Sequence, residues 1–422
     1  MSDNPKNSVR RILTASLIGT TIEYFDFYIY VTAAVLVFPK LFFPSSDPAS
    51  ARLQSLATFA LAFFARPLGS VIFGHFGDRK GRKATLVAAL MTMGPSTVAI
   101  GLLPGYASIG IAAPILLALF RFGQGLGLGG EWGGAVLLAT ENAPEGKKAW
   151  YGMFPQLGSP IGLLLSSGIF FILGKVLTDQ QFIDYGWRIP FIASALLVFV
   201  GLYVRLKIAE TPDFMKVIEK KAVAKLPFSD VFVHHAKTLV LGTLTATTTF
   251  LLFYLMTVFT ISWGTSALHY SKSNFLAGQM FSVVFFAIGI PLSSVLADRF
   301  GRVRMLIVAS ACIFLFGLIF SPLFNTGSWT ITVVFLALGM FLMGLTYGPL
   351  GTALAGIFPP AVRYTGSSLS FTLAGILGAS LTPALATWLA TNYGLSYVGY
   401  YLSFASAITL IALLALRKTM QN

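Results

Sequence analysis

About twelve apolar stretches of roughly twenty residues or more follow one another along this chain, separated by short polar turns. No other feature restricts the fold as much. Stretches of that length cross a hydrocarbon core as helices. In lipid every backbone N–H and C=O must be satisfied within the chain, which leaves helices or closed barrels. Barrel strands need only about 9–11 alternating residues, so these runs are too long for one. The expected fold class is an all-α integral membrane protein. Its first six spans fall near 12–38, 53–76, 84–104, 110–138, 152–174 and 189–206, and the other six near 237–262, 274–297, 305–322, 330–356, 366–390 and 396–416. Only 10% of the 422 residues are charged, against about 25% in soluble domains.

A formal net charge of +14 would direct attention to nucleic acid in a soluble protein. Here Lys and Arg gather in alternate loops, "GDRKGRK", "ENAPEGKK", "DRFGRVR", "PPAVR" and the tail "RKTMQN", as the positive-inside rule requires. The opposite side shows only Lys40, Arg52, Lys175, Arg188 and Lys272. Both termini are therefore expected in the cytoplasm, with no nucleic-acid partner. The first apolar run is long and acidic and lacks a small-residue cleavage site, so no cleavable signal peptide is expected. Residues 207–236 form the one long polar linker, with lysines at the spacing of a short amphipathic surface helix. They divide the chain into a six-span bundle, 1–206, and a second bundle with its tail, 237–422.

The two halves repeat. Asp78, Gly81 and Arg82 of "GHFGDRKGRK" correspond to Asp298, Gly301 and Arg302 of "SVLADRFGRVR", 220 residues on. Gly125 and Gly129 in the fourth span match Gly344 and Gly348 in the tenth at an offset of 219. Duplication of six spans is the mark of a transporter built from two bundles.

"GHFGDRKGRK" resembles the signature loop of the major facilitator superfamily, and "LFRFGQGLGLGGEWGG" resembles its fourth-helix Arg motif. "GTTIEYFDF", "FFARPLGSVIFG", "YGWRIPF", "AETPDF" and "FPPAVRYTG" narrow the likeness to the metabolite:proton symporters, whose members carry α-ketoglutarate, citrate, shikimate, or proline and betaine. The resemblance covers nearly the whole chain. It implies two pseudo-symmetric six-helix bundles in a cell inner membrane and no enzymatic activity. By the same resemblance, Asp78 and Arg82 belong to a cytoplasmic charge network with Glu141, and Asp298, Arg302 and Arg363 form its partial mirror image. Where relatives often carry acids around the loop between spans ten and eleven, this chain has Gly356 and Ala361.

Few ionisable side chains fall deep in the spans: Glu23 and Asp26 in the first, Arg66 in the second, Arg121 and Glu131 in the fourth. A central intramembrane charge costs roughly 2.5–3.5 kcal/mol on insertion scales and marks a substrate or ion path. Glu23, Asp26 and Tyr30 stand at i, i+3 and i+7, on one face of the first span. Ile22, Phe25 and Ile29 make an opposite face suited to lipid. Arg66 lies at a depth similar to Asp26, and two arginines suit a carboxylate, whose oxygens a guanidinium fork can grip together. A carboxylate between desolvation and a nearby guanidinium can change protonation, so Asp26, or Glu23 beside it, is the expected proton carrier. A folding ion pair between Asp26 and Arg66 is the alternative. Glu131, about 15 Å beyond Arg121, is expected either to release the proton or to bond neighbouring backbone. Thr247, Tyr254, Gln279 and Tyr347 are the uncharged candidates for substrate contact in the second half.

Gly125, Gly127 and Gly130 formally match a dinucleotide fingerprint, but without the preceding strand it needs. No phosphate-binding loop supports ATP-driven transport. His75, His234, His235 and His269 show no metal spacing, and Cys312 has no partner for an intrachain disulfide. The expectation is a monomeric carrier in contact with membrane lipids, with no cofactor and no metal, that moves a small organic anion together with protons by alternating access. Proton-driven export of an anionic drug or metabolite uses the same charges. A non-transporting receptor would be expected to lose them.

Overall fold

The computed structural model describes residues 9–44, 48–219 and 227–419. Twelve long helices follow in order: α1 (Val9–Leu36), α2 (Pro48–Arg79), α3 (Arg82–Leu102), α4 (Ala112–Glu141), α5 (Lys148–Val176), α6 (Arg188–Leu206), α7 (Ala236–Ser266), α8 (Lys272–Phe300), α9 (Arg302–Leu318), α10 (Trp329–Gly356), α11 (Arg363–Tyr393) and α12 (Leu395–Thr419). Among the described residues ten helices are long and apolar enough to cross a membrane. The two others at expected spans are α1 and α9. Glu23, Asp26 and three tyrosines lower the hydropathy of α1. α9 has 17 residues and continues, after a break at Ile319, as the short helix Phe320–Phe324.

The linker holds two short helices, Pro212–Glu219 and Pro227–His234, and its residues 220–226 lie outside the described residues. Two compact units emerge. The first comprises the described residues of Met1–Asn142, Leu157–Phe228 and Pro360–Ser368; the second those of Ala143–Gln156, Ser229–Pro359 and Leu369–Asn422. Each unit therefore includes a short segment from the other half of the sequence.

The glycine repeat has a packing cause. A Cβ on Gly125 of α4 would stand 2.7 Å from the Ala62 Cα of α2, and one on Gly129 2.8 Å from the Ser70 nitrogen. In the second unit a Cβ on Gly344 of α10 would meet the Phe286 carbonyl of α8 at 2.5 Å. Small residues let these helix pairs approach backbone to backbone, and both members of the duplication use the device.

The duplicated loop glycine has a conformational cause. Gly81 (φ 111°) and Gly301 (φ 99°) end one helix and begin the next in a region open to residues without a Cβ.

α1 departs from its expected amphipathicity. Ile22, Phe25 and Ile29, expected toward lipid, are buried at 2%, 5% and 0% exposure. The helix is enclosed by α2, α4 and α6, and Phe25 and Ile29 join a core with Ile100, Trp187 and Phe191. A helix apolar on one side and acidic on the other is buried all round here, because both sides find protein partners.

Substitution of alanine at either loop glycine is expected to cost roughly 1–3 kcal/mol in backbone strain. Gly81→Ala should cost more than Gly301→Ala. A Cβ at 81 also runs into Glu210 and Phe214, whereas one at 301 meets nothing within 4 Å. Thermal unfolding of the detergent-purified variants checks the order.

Candidate functional site

Three residues of a helix fall short of a full turn. From Glu23 to Asp26 the chain turns about 300°, which leaves Asp26 about 60° to one side. The structure uses that offset. Asp26 faces α3 and α6, where Thr97 donates to its Oδ2 at 2.8 Å and Ser194 to its Oδ1 at 2.7 Å. Among the described residues no guanidinium pairs with Asp26, so neither the Asp26–Arg66 contact nor an ion pair in its place forms. Hydroxyl donors satisfy the buried carboxylate instead.

Arg121 is fully buried on α4, with its guanidinium centred 4.0 Å from the Tyr30 ring and 5.1 and 5.2 Å from Phe27 and Phe59. Arg66 lies 5.0 Å from the same Phe27 and 5.9 Å from Phe63. Phe27 thus lies close to both guanidinium groups, and ring quadrupoles help to stabilise the buried cations. The Arg66 Nε finds no hydrogen-bond partner in the structure. The Tyr30 hydroxyl bonds Thr58 at 2.8 Å, which fixes the ring under Arg121.

A polar chain connects the buried cation to the buried acid. Arg121 Nη1 donates to Gln124 Oε1 at 2.9 Å, Gln124 Nε2 donates to Thr97 Oγ1 at 2.7 Å, and Thr97 donates to Asp26. Gln124 stands one helical turn from Arg121, a spacing visible in the sequence. Thr97 and Ser194 carry no such signal, because a threonine or serine in an apolar span commonly bonds its own helix.

Glu131 has a partner that the sequence reading did not pick out. It forms a buried ion pair with Arg205 of α6, whose Nη1 also donates to the Leu86 carbonyl at 2.9 Å. Arg205 was hidden by its place at the end of a span, where topology alone accounts for an arginine. Glu23 lies within electrostatic reach of Glu131, Arg66 and Arg205, and its Oε2 is buried without a hydrogen-bond partner.

At the other end of the helices, Arg82 is fully buried between Asp78 (3.1 Å) and Glu141 (3.4 Å). Arg363 joins this network rather than a mirror image of it, reaching Glu141 at 3.3 Å and Asp213 of the linker helix at 3.1 Å. Asp78 also accepts from the backbone N–H of Tyr364 (3.1 Å) and Thr365 (3.0 Å), the first turn of α11. Its counterpart Asp298 accepts from the N–H of Ala149 and Trp150, both at 2.8 Å, in the first turn of α5. The symmetry therefore lies in how each Asp satisfies the free donors at a helix start. Arg302 donates to the Thr352 carbonyl at 2.9 Å, beside Gly356.

The second-half candidates have structural partners. Gln279 donates to the Met256 and Thr257 carbonyls at 2.9 and 3.0 Å. These belong to the wide turn Leu255–Phe259 of α7, where i→i+5 bonding loosens the backbone ladder. Thr247 bonds the Thr243 carbonyl of its own helix. The Tyr347 carbonyl accepts from Gln156, and its ring packs on Phe286 and Phe371; Tyr254 is buried against Phe253.

The family model described as Major Facilitator Superfamily matches residues 16–379 and again 284–421. The chain belongs to the Major Facilitator Superfamily. It is 56% identical over 420 residues to the inner membrane metabolite transport protein YhjE of Escherichia coli (strain K12), a match covering 98% of this chain and 96% of that one. The shikimate transporter of the same organism is 36% identical, covering 91% and 88%. The proline/betaine transporter of Salmonella typhimurium (strain LT2) is 32% identical, covering 97% and 84%. A structure of the proton:xylose symporter XylE bound to 6-bromo-6-deoxy-D-glucose superposes with a TM-score of 0.78 at 15% identity, over 97% of this chain and 95% of that one, and shares its fold. The protein is a multi-pass inner-membrane metabolite transporter and not an enzyme.

Removal of one partner from the Glu131–Arg205 pair strands a buried charge. Glu131→Gln is expected to destabilise the protein by about 3–5 kcal/mol, whereas the double variant Glu131→Leu/Arg205→Met should recover most of the loss. Denaturation in detergent measures both.

Proposed function

We propose that this transporter takes up a small organic anion, with a carboxylate as its recognised group, together with a proton by alternating access. The hydrogen-bonded chain Arg121–Gln124–Thr97–Asp26 carries this reading. A guanidinium fork matches the geometry of a planar carboxylate, and Arg66, which also lies near Phe27, supplies a second cation. Tyr30 is a further contact, and Thr247, Tyr254, Gln279 and Tyr347 are proposed for the second unit. Shikimate, proline and betaine, named for two relatives, all carry a carboxylate.

Asp26 is the proposed proton carrier. A carboxylate held by hydroxyls can be neutralised by a proton without leaving a buried cation unpaired, which Glu131 beside Arg205 cannot. When an anion engages Arg121, Gln124 loses or rotates its hydrogen bond, and the change reaches Asp26 through Thr97. Glu23 is the second candidate, and Glu131 a fixed charge near it. Asp78, Arg82, Glu141 and Arg363 are proposed as a gate at the cytoplasmic ends of the helices, with Asp298 and Arg302 as its weaker counterpart. Both termini would then face the cytoplasm, as the loop charges indicate.

Thermal-shift screening of shikimate, proline, betaine and dicarboxylates, followed by uptake into liposomes, tests the substrate class. In Arg121→Ala the affinity should fall by about 10- to 100-fold, the worth of a charge-assisted contact. Unchanged affinity for an acidic substrate rejects the anion site. Asp26→Asn should retain exchange of substrate while uptake no longer carries protons, and Thr97→Val should weaken the coupling in between. Proton movement by the Asp26→Asn protein, followed with a pH dye inside the liposomes, rejects Asp26 as carrier. Asp78→Asn should shift the accessibility of single cysteines on the cytoplasmic side, and an unaltered labelling pattern removes the gate role.

A further inference from the structure

Outside the buried charges, positive charge gathers around a concave surface at the polar ends of α1 and α6. A hollow of about 320 Å³ is lined by Arg10, Arg11 and Thr14 of α1 and by Tyr203, Val204 and Lys207 at the end of α6. Among the described residues three cations line it and no acid does. Arg11 Nη1 donates to the Lys207 carbonyl at 3.3 Å, a bond that ties the two helix ends together at the hollow. The Lys207 ammonium bonds the Tyr203 hydroxyl and sits 4.0 Å from the centre of its ring.

The position matters as much as the charge. Arg10 and Arg11 immediately precede the apolar run of α1, and Lys207 immediately follows the membrane span that ends at Leu206. The cations therefore stand at one boundary between polar and apolar surface. Just on its apolar side, Tyr203 and Leu206 are 61% and 56% exposed, and Val204 continues the lining. A ligand that fits has a negative head and an apolar body: its head meets three cations while its body lies along the side of α6.

We propose that this hollow is a binding site for an anionic phospholipid, whose phosphate engages Arg10, Arg11 and Lys207. The lipid clamps the start of α1 to the end of α6. It does so two residues from Arg205, whose ion pair with Glu131 joins α6 to α4. Lipid composition would thereby act on the packing of the first unit without touching the transported substrate.

The purified full-length protein in detergent, titrated with short-chain phosphatidylglycerol or phosphatidylcholine and read by native mass spectrometry and thermal shift, tests this. Phosphatidylglycerol is expected to bind in preference to phosphatidylcholine. Each basic residue near a membrane surface contributes enough that R10Q or K207Q should weaken binding about fivefold, and R10Q/R11Q/K207Q about a hundredfold. The control K237Q/R304Q, which removes two exposed cations elsewhere, should leave binding unchanged. Wild-type affinity for phosphatidylglycerol in the triple variant overturns the proposal, as does equal affinity for phosphatidylcholine. If inorganic phosphate or glycerol 3-phosphate displaces the lipid at comparable concentration, the site is one for free phosphate and the lipid proposal fails. Should the triple variant not fold, the two single variants decide, and unchanged affinity in both overturns it.

Discussion

Everything distinctive about the first unit follows from one constraint: a charge removed from water must be met by something inside the protein. The unit meets it in four different ways. Aromatic faces surround Arg66 and Arg121, hydroxyls hold Asp26, an opposite charge holds Glu131, and the free N–H groups at a helix start hold Asp78. These solutions differ in what they permit. An ion pair fixes both partners in their charged forms. Hydroxyls and rings do not, and so leave the groups they hold able to respond to a proton or an anion.

The duplicated sequence is used for structure in both halves, while among the described residues the fully buried acids and arginines lie in only one. Gly125 and Gly344 bring equivalent helix pairs together, Gly81 and Gly301 make equivalent turns, and Asp78 and Asp298 satisfy equivalent helix starts. The buried acids and arginines have no counterpart in the second unit among the described residues. There the polar side chains serve the backbone instead, as Gln279 does at the wide turn of α7. Wide turns with i→i+5 bonding occur in α7 and at Ile376–Ser380 in α11 of the second unit, and at Phe182–Gly186 of the first.

How much of this is legible in the sequence depends on the range of the interaction. Span length, loop charge and the repeat are periodic or local, and they lead directly to the all-α fold with duplicated halves. Arg66, Arg121, Asp26 and Glu131 stand out as charges in apolar runs. Their partners do not, because pairing across helices depends on rotation and depth that no spacing within one helix encodes. Thr97 and Ser194 resemble any hydroxyl in a membrane helix, and Arg205 resembles an ordinary topological arginine. Ile22, Phe25 and Ile29 show the same limit from the apolar side: protein and lipid are equally greasy neighbours, so hydrophobicity does not say which one a face meets.

That limit also explains why Asp26 is the informative residue rather than the more conspicuous Glu131. Both are completely buried acids on helices of the same unit. Glu131 has a cation against it, and an approaching proton would have to displace that partner in a low-dielectric setting, where the pair is strongest. Asp26 has two neutral donors, one of which, Thr97, also accepts from the glutamine that accepts from Arg121. In the proposed mechanism, a change in what Arg121 holds alters the hydrogen bonds available to Asp26 over these three short steps.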